Sequence, residues 1–271
     1  MLKSGSYTVG LLLVTFLLLV GCGEYEQILK SRDYPVKFEK AIAYYNAEEF
    51  VKSATLLDQV ANIYRGTTKA DTVKYYQAMS YYGQRDYILA GHYFNELATT
   101  YSSSDFVEEA EFMTAYCYYK MSPRSSLDQE ATFKAISALR MYIAKYPASE
   151  KVAEARELIT ELSDKLVEKS YDSAKLYYDL GYYKSAIIAL RNSLEQYPDT
   201  QYREELLYLI LRSSFLLADN SIESKKKERL QSTVDEYLSF KSEFPDSKYD
   251  KDAERMFRST QESLDMYSTN N

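Results

Sequence analysis

The residue with the clearest chemistry is Cys22, which closes the sequence Leu19-Val20-Gly21-Cys22. A cysteine directly after a small residue, at the end of an uncharged apolar run, is the layout of a bacterial lipobox, where the thiol is acylated and the chain is cleaved before it. The apolar run Val9–Val20 is shorter than the roughly twenty residues that cross a bilayer. We therefore predict a signal peptide over residues 1–21 and a mature chain that lipid on Cys22 holds to a membrane outside the cytoplasm.

The residue after Cys22 indicates which membrane carries the chain. Gly23 stands there, whereas Asp at this position is the usual inner-membrane retention residue in lipoproteins of enterobacterial type. The outer membrane is therefore favoured. A retained signal anchor is the alternative, but it would not require a cysteine at this point.

The other reactive side chains form no recognisable catalytic or metal-binding set. His92 is the single histidine, and we interpret it as a structural residue of a helix. Cys117 lies in the apolar stretch AYCYY and is expected to be a buried, inert thiol. Lys225-Lys226-Lys227 with Arg229 is placed in a solvated connection between helices, with docking of an acidic partner as the alternative. Because phosphate-loop and metal-ligand spacings are also missing, we expect no enzyme, no metal and no cofactor.

Composition excludes further classes of protein. The chain has 33 basic and 40 acidic residues and a formal net charge of −7. Binding to nucleic acid requires a basic face, and an acidic chain cannot be held on anionic lipid by charge alone, so acyl chains must supply the anchor. Only 8 glycines and 5 prolines interrupt the sequence, which favours helices. The 29 tyrosines, in a chain without tryptophan, indicate a specific use for that side chain.

The elements that must position these tyrosines follow from a repeated pattern. Five times a small residue is followed eleven positions later by an aromatic residue. The small residues are Ser53, Ala90, Ala135, Ala186 and Thr233, and the aromatic residues are Tyr64, Tyr101, Tyr146, Tyr197 and Phe244. A bulky residue four positions after each small one shares its helix face: Leu57, Phe94, Leu139, Leu190 and Tyr237. We therefore predict that each small residue lies at a close helix–helix contact.

Helix boundaries follow from the residues after each aromatic. Proline follows the last three aromatics and ends a helix, and a hydroxyl residue that can cap the next helix stands three positions after every aromatic. These hydroxyl residues are Thr67, Ser104, Ser149, Thr200 and Ser247. We predict helix pairs over 35–65, 71–101, 105–146, 167–197 and 202–244, a capping helix over 248–267, a helical stretch over 149–168 continuous with the fourth pair, and eight-residue insertions near Met121–Gln129 and Ala218–Glu228. The predicted fold is all-α, a right-handed α-solenoid of five tetratricopeptide-like helix pairs plus a C-terminal capping helix.

The block from Tyr146 to Thr200 carries the most specific pattern. It contains YPASEKVAEA and LRNSLEQYPDTQY, and FPDSKY follows in the last pair. With the lipobox and the five repeats, the chain resembles the BamD family, the lipoprotein subunits of the outer-membrane β-barrel assembly machinery. The resemblance implies a scaffold on the periplasmic face of the outer membrane, with unfolded β-barrel proteins as substrates. It also implies binding of a BamA-like barrel protein with periplasmic domains through the C-terminal repeats, although no partner-contact residue carries over.

Tyrosine doublets recur at one register of the repeat, as Tyr44-Tyr45, Tyr81-Tyr82, Tyr118-Tyr119 and Tyr177-Tyr178. In solenoids of this kind the first helix of each pair lines the inner groove. The predicted groove of pairs one to three comprises Phe38, Ile42, Tyr45, Tyr75, Met79, Tyr82, Phe112, Tyr116 and Tyr119. One interpretation is ordinary helix packing, with tyrosine in place of phenylalanine because one end touches water. The other is a groove for the terminal strand of an unfolded barrel protein.

The expected organisation has five parts. Residues 1–21 are the signal peptide, 22–34 a lipidated linker, 35–146 the substrate-binding repeats, 147–267 the partner-binding repeats with the capping helix, and 268–271 a tail. Fully extended, the linker reaches roughly 40 Å at most, which keeps the groove near the bilayer. Two other functions remain open on the sequence: a periplasmic repeat lipoprotein that coordinates cell-wall synthesis, and a surface lipoprotein that binds glycans.

Overall fold

The computed structural model describes residues 23–269, and Cys22 and the predicted signal peptide lie outside this range. The described residues form twelve helices and no strand, which confirms the predicted all-α fold and adds one helix to the eleven predicted. Residues 23–30 are helical and are called α1. The others are α2 (Tyr34–Asn46), α3 (Phe50–Tyr64), α4 (Ala70–Gly83), α5 (Tyr87–Thr100), α6 (Val107–Met121), α7 (Glu130–Lys145), α8 (Val152–Asp179), α9 (Tyr183–Gln196), α10 (Arg203–Asp219), α11 (Glu223–Glu243) and α12 (Asp250–Thr269).

Helix pairing follows the predicted repeat. From α2 to α7 and from α9 to α12, each helix packs against the next one along the chain. The first helices of neighbouring pairs also touch, α2 against α4 and α10 against α12. The predicted stretch over 149–168 is indeed continuous with the first helix of the fourth pair, because α8 runs unbroken through both.

The chain divides into two compact units, and the division falls inside α8. Among the described residues, the first unit comprises 23–123 and 129–162, and the second comprises 124–128 and 163–269. The sequence placed this boundary at 146–147, at the end of the third pair. It lies later because the first half of α8 completes the packing of the third pair: Lys151 covers Phe112, and Glu161 accepts a hydrogen bond from Tyr119.

The small residues of the repeat are buried, as predicted. All five, Ser53, Ala90, Ala135, Ala186 and Thr233, have no exposed surface. Ser53 shows how close the helices come, since its hydroxyl lies 2.9 Å from that of Ser80 on the neighbouring helix. The bulky residues four positions later are buried with them and fill the layers on either side.

The predicted hydroxyl residues do not cap the following helices directly, because the N-cap positions are held by Lys69, Phe106 and Tyr202 without a side-chain cap bond. In every repeat the hydroxyl accepts a hydrogen bond from the backbone N–H two positions later, at 3.0–3.3 Å. The helix itself starts one residue further on, and its first N–H is bound by the backbone carbonyl of the same hydroxyl residue. Each hydroxyl residue therefore closes a short turn before the helix.

A stacking contact that the sequence analysis missed joins successive pairs. The residue two positions after the hydroxyl residue of each repeat covers an aromatic ring on the first helix of the preceding pair. The contacts are Lys69 on Phe38 (5.7 Å), Phe106 on Tyr75 (4.3 Å), Lys151 on Phe112 (4.4 Å), Tyr202 on Tyr171 (4.1 Å) and Tyr249 on Tyr208 (4.0 Å), measured from ring centre to ring centre or to the lysine Nζ. We call these contacts the stacking ladder. A single layer of cation–π and aromatic contacts thus fixes the register between pairs in each unit.

Two expectations about connections are wrong. The stretch 22–34 is not an extended linker, because residues 23–30 form α1 and pack on the first pair through Ile28. The residues near Ala218–Glu228 are not a loop either, because α11 begins at Glu223 and the extra residues lengthen helices α10 and α11. The basic cluster at 225–229 therefore lies on the first turns of α11, where Arg229 donates to the Ser221 hydroxyl at 2.6 Å. The other insertion is a connection without helix, over residues 122–129.

Gly83 allows the hairpin between α2 and α3 to approach α4. A Cβ added at this position would lie 2.5–2.6 Å from three ring atoms of Phe50, far inside van der Waals contact. Gly83→Ala should therefore lower the free energy of unfolding by about 1–3 kcal/mol through overpacking, against a gain in helix propensity of about 1 kcal/mol or less. Urea titration followed by circular dichroism measures the difference. In a Phe50→Ala background the same change should become neutral or stabilising, and an equal loss in both backgrounds would contradict the steric explanation.

Candidate functional site

The nine predicted groove residues fall into three registers on α2, α4 and α6. The first register holds Phe38, Tyr75 and Phe112; the second holds Ile42, Met79 and Tyr116; the third holds Tyr45, Tyr82 and Tyr119. The three registers differ in their exposure to solvent. The second and third are partly exposed, whereas two residues of the first are buried.

The first register belongs to the stacking ladder. Phe38 is 9% exposed and Phe112 only 2%, and Tyr75 is stacked face to face on Phe106. Assigning these three residues to an open groove was therefore wrong for Phe38 and Phe112 and incomplete for Tyr75. The physical reason is the cap of the following pair, which places a lysine or an aromatic ring over each of them.

The second and third registers form a partly exposed patch that we call the tyrosine surface: Ile42, Tyr45, Met79, Tyr82, Tyr116 and Tyr119. The ring centre of Tyr116 lies 6.3 Å from that of Tyr82 and 5.4 Å from that of Tyr119, so α4 and α6 share one aromatic cluster. Tyr45 belongs to a second cluster, 5.1 Å from Tyr76 and 5.7 Å from Phe50. Ile42 packs at the edge of the buried core below it.

Carboxylates accompany these rings. Glu161 of α8 accepts a hydrogen bond from the Tyr119 hydroxyl at 2.8 Å, and this bond, with burial, raises the pKa of Tyr119 to about 12. Burial is the main cause that raises the pKa of Tyr82 to about 12, and the charge of Glu154 adds to it. The pKa of Tyr45 is raised mainly by burial, then by the charge of Tyr76, and to a smaller extent by the charge of Glu109. Burial and the nearby carboxylates therefore disfavour the phenolate form of Tyr45, Tyr82 and Tyr119.

A cation already rests on this surface. The Lys120 ammonium lies 5.0 Å from the ring centre of Tyr116 and 5.5 Å from that of Tyr119. Aromatic faces and carboxylates both attract positive charge, and Lys120 is exposed enough to be displaced. The tyrosine surface thus suits an apolar or aromatic peptide that carries a positive side chain, and it disfavours an acidic one.

The same registers carry different chemistry in the second unit. Lys175 and Arg212 occupy the places that Ile42, Met79 and Tyr116 hold in the first. The Arg212 guanidinium lies about 6 Å from the ring centre of Tyr178 and donates to the Tyr208 hydroxyl at 2.9 Å. The search for tyrosine doublets in the sequence missed these two cations. They are found by aligning the repeats on the rings of the stacking ladder, because each cation stands four positions after such a ring.

Comparison with known proteins decides the family. The family model described as "YfiO: Outer membrane lipoprotein" matches residues 33–230, which is more than half of the chain. The chain belongs to the YfiO family. This is the family of BamD, so the resemblance read from the sequence is confirmed. Membership associates the chain with the outer membrane as a lipoprotein and with assembly work there.

Two other comparisons add less. No curated protein matches this YfiO-family chain. A solved structure described as the TPR2AB-domain:pHSP90-complex of yeast Sti1 is 12% identical to it, over 84% of this chain and 98% of that one, with a TM-score of 0.39.

The described residues of this YfiO-family chain meet neither the requirements of a metal site nor those of a membrane-spanning helix. Within residues 23–269, no cluster of histidine, cysteine and carboxylate side chains has the arrangement of a metal site. No helix in that range is both long and apolar enough to cross a bilayer. His92 is exposed, lies 4.0 Å from Glu96 and contacts the ring of Tyr93.

Cys117 is buried without exposed surface, as predicted, and burial raises the pKa of its thiol to about 12. Since the thiolate is the reactive form, a soluble Cys22→Ala protein without its signal peptide should not react with a thiol reagent at mildly alkaline pH while it is folded. One thiol per chain should react after unfolding in urea. Rapid labelling of the folded protein, measured by absorbance, would show that the thiol is accessible.

Proposed function

We propose that this YfiO-family protein is a non-enzymatic scaffold, anchored by lipid on Cys22 to the periplasmic face of the outer membrane. It captures unfolded β-barrel proteins at the tyrosine surface of its first unit, and it binds a BamA-like barrel assembly subunit through its second unit. The observation that supports the proposal most is the tyrosine surface itself, in a family of outer membrane lipoproteins. Its four aromatic rings pack against one another or against Tyr76 and stay partly open to a ligand.

The chemistry of the surface matches an extended, amphipathic strand. Side chains of a β-strand alternate between two faces, so every second apolar residue of a terminal barrel strand can lie on the rings of Tyr82, Tyr116 and Tyr119. The hydroxyls of Tyr45 and Tyr82 can donate to the strand's backbone carbonyls, whereas the Tyr119 hydroxyl already donates to Glu161 and offers the strand its ring face. Met79 adds a flexible side chain that adapts to different apolar residues. Capture involves no covalent step, and folding of the substrate supplies the energy of insertion.

The second unit suits a different partner. Lys175 and Arg212 give this face positive groups beside tyrosines, in a chain whose net charge is negative. A folded domain with acidic side chains is the complementary surface. We assign this role to a periplasmic domain of the barrel assembly subunit.

Affinity purification from detergent-solubilised membranes tests the proposal. We expect the protein to recover an outer-membrane barrel protein that has periplasmic domains. Recovery of cell-wall synthases instead would favour the role in cell-wall synthesis. Digestion of the chain by protease added to intact cells would place it on the cell surface and contradict the assembly role.

The anchor has its own test. Cys22→Ala, with residues 1–21 replaced by a secretory signal whose cleavage does not need the cysteine, should move the protein from the membrane fraction to the soluble periplasm. Acyl chains hold a lipoprotein to the bilayer, and this variant carries none. The folded core should be unchanged, since Cys22 precedes the described helices. Fractionation with immunoblotting measures the shift. Unchanged membrane association would show that the lipid on Cys22 is not the anchor.

A further inference from the structure

Helix α1 is docked against the first helix pair. Ile28 is 8% exposed and belongs to the same buried cluster as Phe38, Leu56 and Leu57. Tyr25 meets Tyr44 edge to face, with ring centres 5.6 Å apart, and Lys40 binds Glu24 at 2.6 Å. These contacts involve both ends of the helix, so α1 is part of the first unit.

A buried lysine fixes the end of α1. Lys37 of α2 is only 3% exposed, and its ammonium donates to the carbonyls of Leu29 and Ser31 at 3.2 and 2.8 Å. A third bond runs to the Gln59 side chain of α3 at 2.7 Å. The carbonyls at a helix C-terminus lack partners in the helix and carry partial negative charge. Lys37 thus satisfies the end of α1 and joins α1, α2 and α3 at one point.

The covalent chain then limits where an acyl group on Cys22 can be. Cys22 is bonded to Gly23, and consecutive Cα atoms are about 3.8 Å apart. Gly23 begins the described part of α1, two residues before Tyr25. Three residues span at most about 11 Å, so lipid on Cys22 starts within that distance of the Tyr25 backbone, whose ring contacts Tyr44 and lies 5.6 Å from the Lys52 ammonium. This is far shorter than the reach of an extended linker.

The hairpin end has the side chains of a membrane interface. Tyr25 and Tyr44 are partly exposed, and aromatic side chains of this kind concentrate at headgroup level. Lys40 and Lys52 can extend their charged ends toward phosphates. Val51, next to Lys52 in the chain, is an apolar side chain that is 64% exposed. Glu24 and Glu49 are paired with these two lysines, which limits repulsion from anionic lipid.

We infer that the end of the first unit formed by the start of α1 and the α2–α3 hairpin lies on the bilayer surface, with Val51 and Tyr25 in contact with lipid. This rests on the acylation of Cys22 in the proposed function. The docked α1 converts the lipid anchor from a loose tether into a fixed attachment point. The partner of this surface is the phospholipid leaflet itself.

Single tryptophans test the inference without background, because the chain has no tryptophan of its own. Val51→Trp probes the hairpin, and Ile88→Trp is its matched control: both residues are second in the second helix of a pair, and they are 64% and 70% exposed. The lipidated protein is placed in nanodiscs made with brominated phosphatidylethanolamine and phosphatidylglycerol. We expect at least twofold quenching of the tryptophan at position 51 and little at position 88. Equal quenching at the two positions overturns the inference.

The role of α1 has a separate variant. Ile28→Ser in the Val51→Trp protein removes the buried contact of α1, so quenching at position 51 should fall toward that of the position 88 control. Unchanged quenching overturns the fixed attachment. Mass spectrometry of the same samples establishes acylation of Cys22, and its absence overturns the inference as well. Binding of a barrel-strand peptide to the same samples distinguishes the membrane contact from the proposed capture of substrates. If peptide binding is retained while quenching is equal at the two positions, only the membrane contact is contradicted.

Discussion

Replacing Phe94 by alanine is expected to lower the free energy of unfolding by about 3–5 kcal/mol. Phe94 has no exposed surface and lies four positions after the buried Ala90 on α5, where a cavity cannot be filled by solvent. Its ring is 6.5 Å from that of Tyr75, so the loss also removes support from the stacking ladder. Urea titration of the soluble protein, followed by far-ultraviolet circular dichroism, measures the change.

Phe133→Ala is the matched control for this prediction. Phe133 is also a phenylalanine on the second helix of a pair, but it is 56% exposed. The change there should stay within about 0.5 kcal/mol, as for other surface positions. Similar losses at positions 94 and 133 would show that burial in the repeat does not determine stability.

Simultaneous replacement of Tyr45, Tyr82 and Tyr119 by alanine should weaken binding of a terminal barrel-strand peptide at least 30-fold. Truncating one hot-spot residue of an interface costs about 2 kcal/mol or more, and tyrosine is enriched among hot spots. About 1.4 kcal/mol corresponds to tenfold in affinity, so one hot spot among the three residues suffices for this loss. These three residues come from three helices, so the variant removes contacts along the whole tyrosine surface. Fluorescence anisotropy with a labelled peptide measures the affinity.

Two comparisons make this result interpretable. Tyr177 and Tyr182 are exposed tyrosines of the second unit, and their double replacement by alanine should leave peptide binding unchanged. The same peptide with glutamate in place of lysine should bind the unmodified protein more weakly, because Glu109, Glu154 and Glu161 face the rings. If the triple variant loses its helical circular dichroism, the tyrosines are core residues and the binding role fails.

The helix pairs were predictable from sequence because their determinants are local. The small residue, the aromatic residue eleven positions later and the hydroxyl residue act within a few turns. The small residues are buried as expected, whereas the hydroxyls act in the turn just before each helix. The connections were less predictable. Whether residues 220–228 form a loop or extend α10 and α11 depends on packing against neighbouring helices, and the sequence there contains no strong breaker.

The candidate site was predicted only in part, for a similar reason. Register on α2, α4 and α6 correctly placed Tyr45, Tyr82 and Tyr119 on a partly exposed face. It could not show that Phe38 and Phe112 are covered, because the covering residues Lys69 and Lys151 come from the next connection in the chain. The docking of α1 was also not predicted, since the buried Lys37 that binds its last carbonyls is not part of any pattern of apolar residues.

The stacking ladder has a consequence for editing this chain. In every repeat, the covering residue stands five positions after the aromatic residue that ends the pair, from Tyr64 and Lys69 to Phe244 and Tyr249. Differences in repeat length occur instead between the two helices of a pair, in the third and fifth repeats. Added segments such as tags or reporter loops therefore belong at the hairpin tips, whereas one extra residue in the connection between two pairs would rotate the covering side chain off its ring.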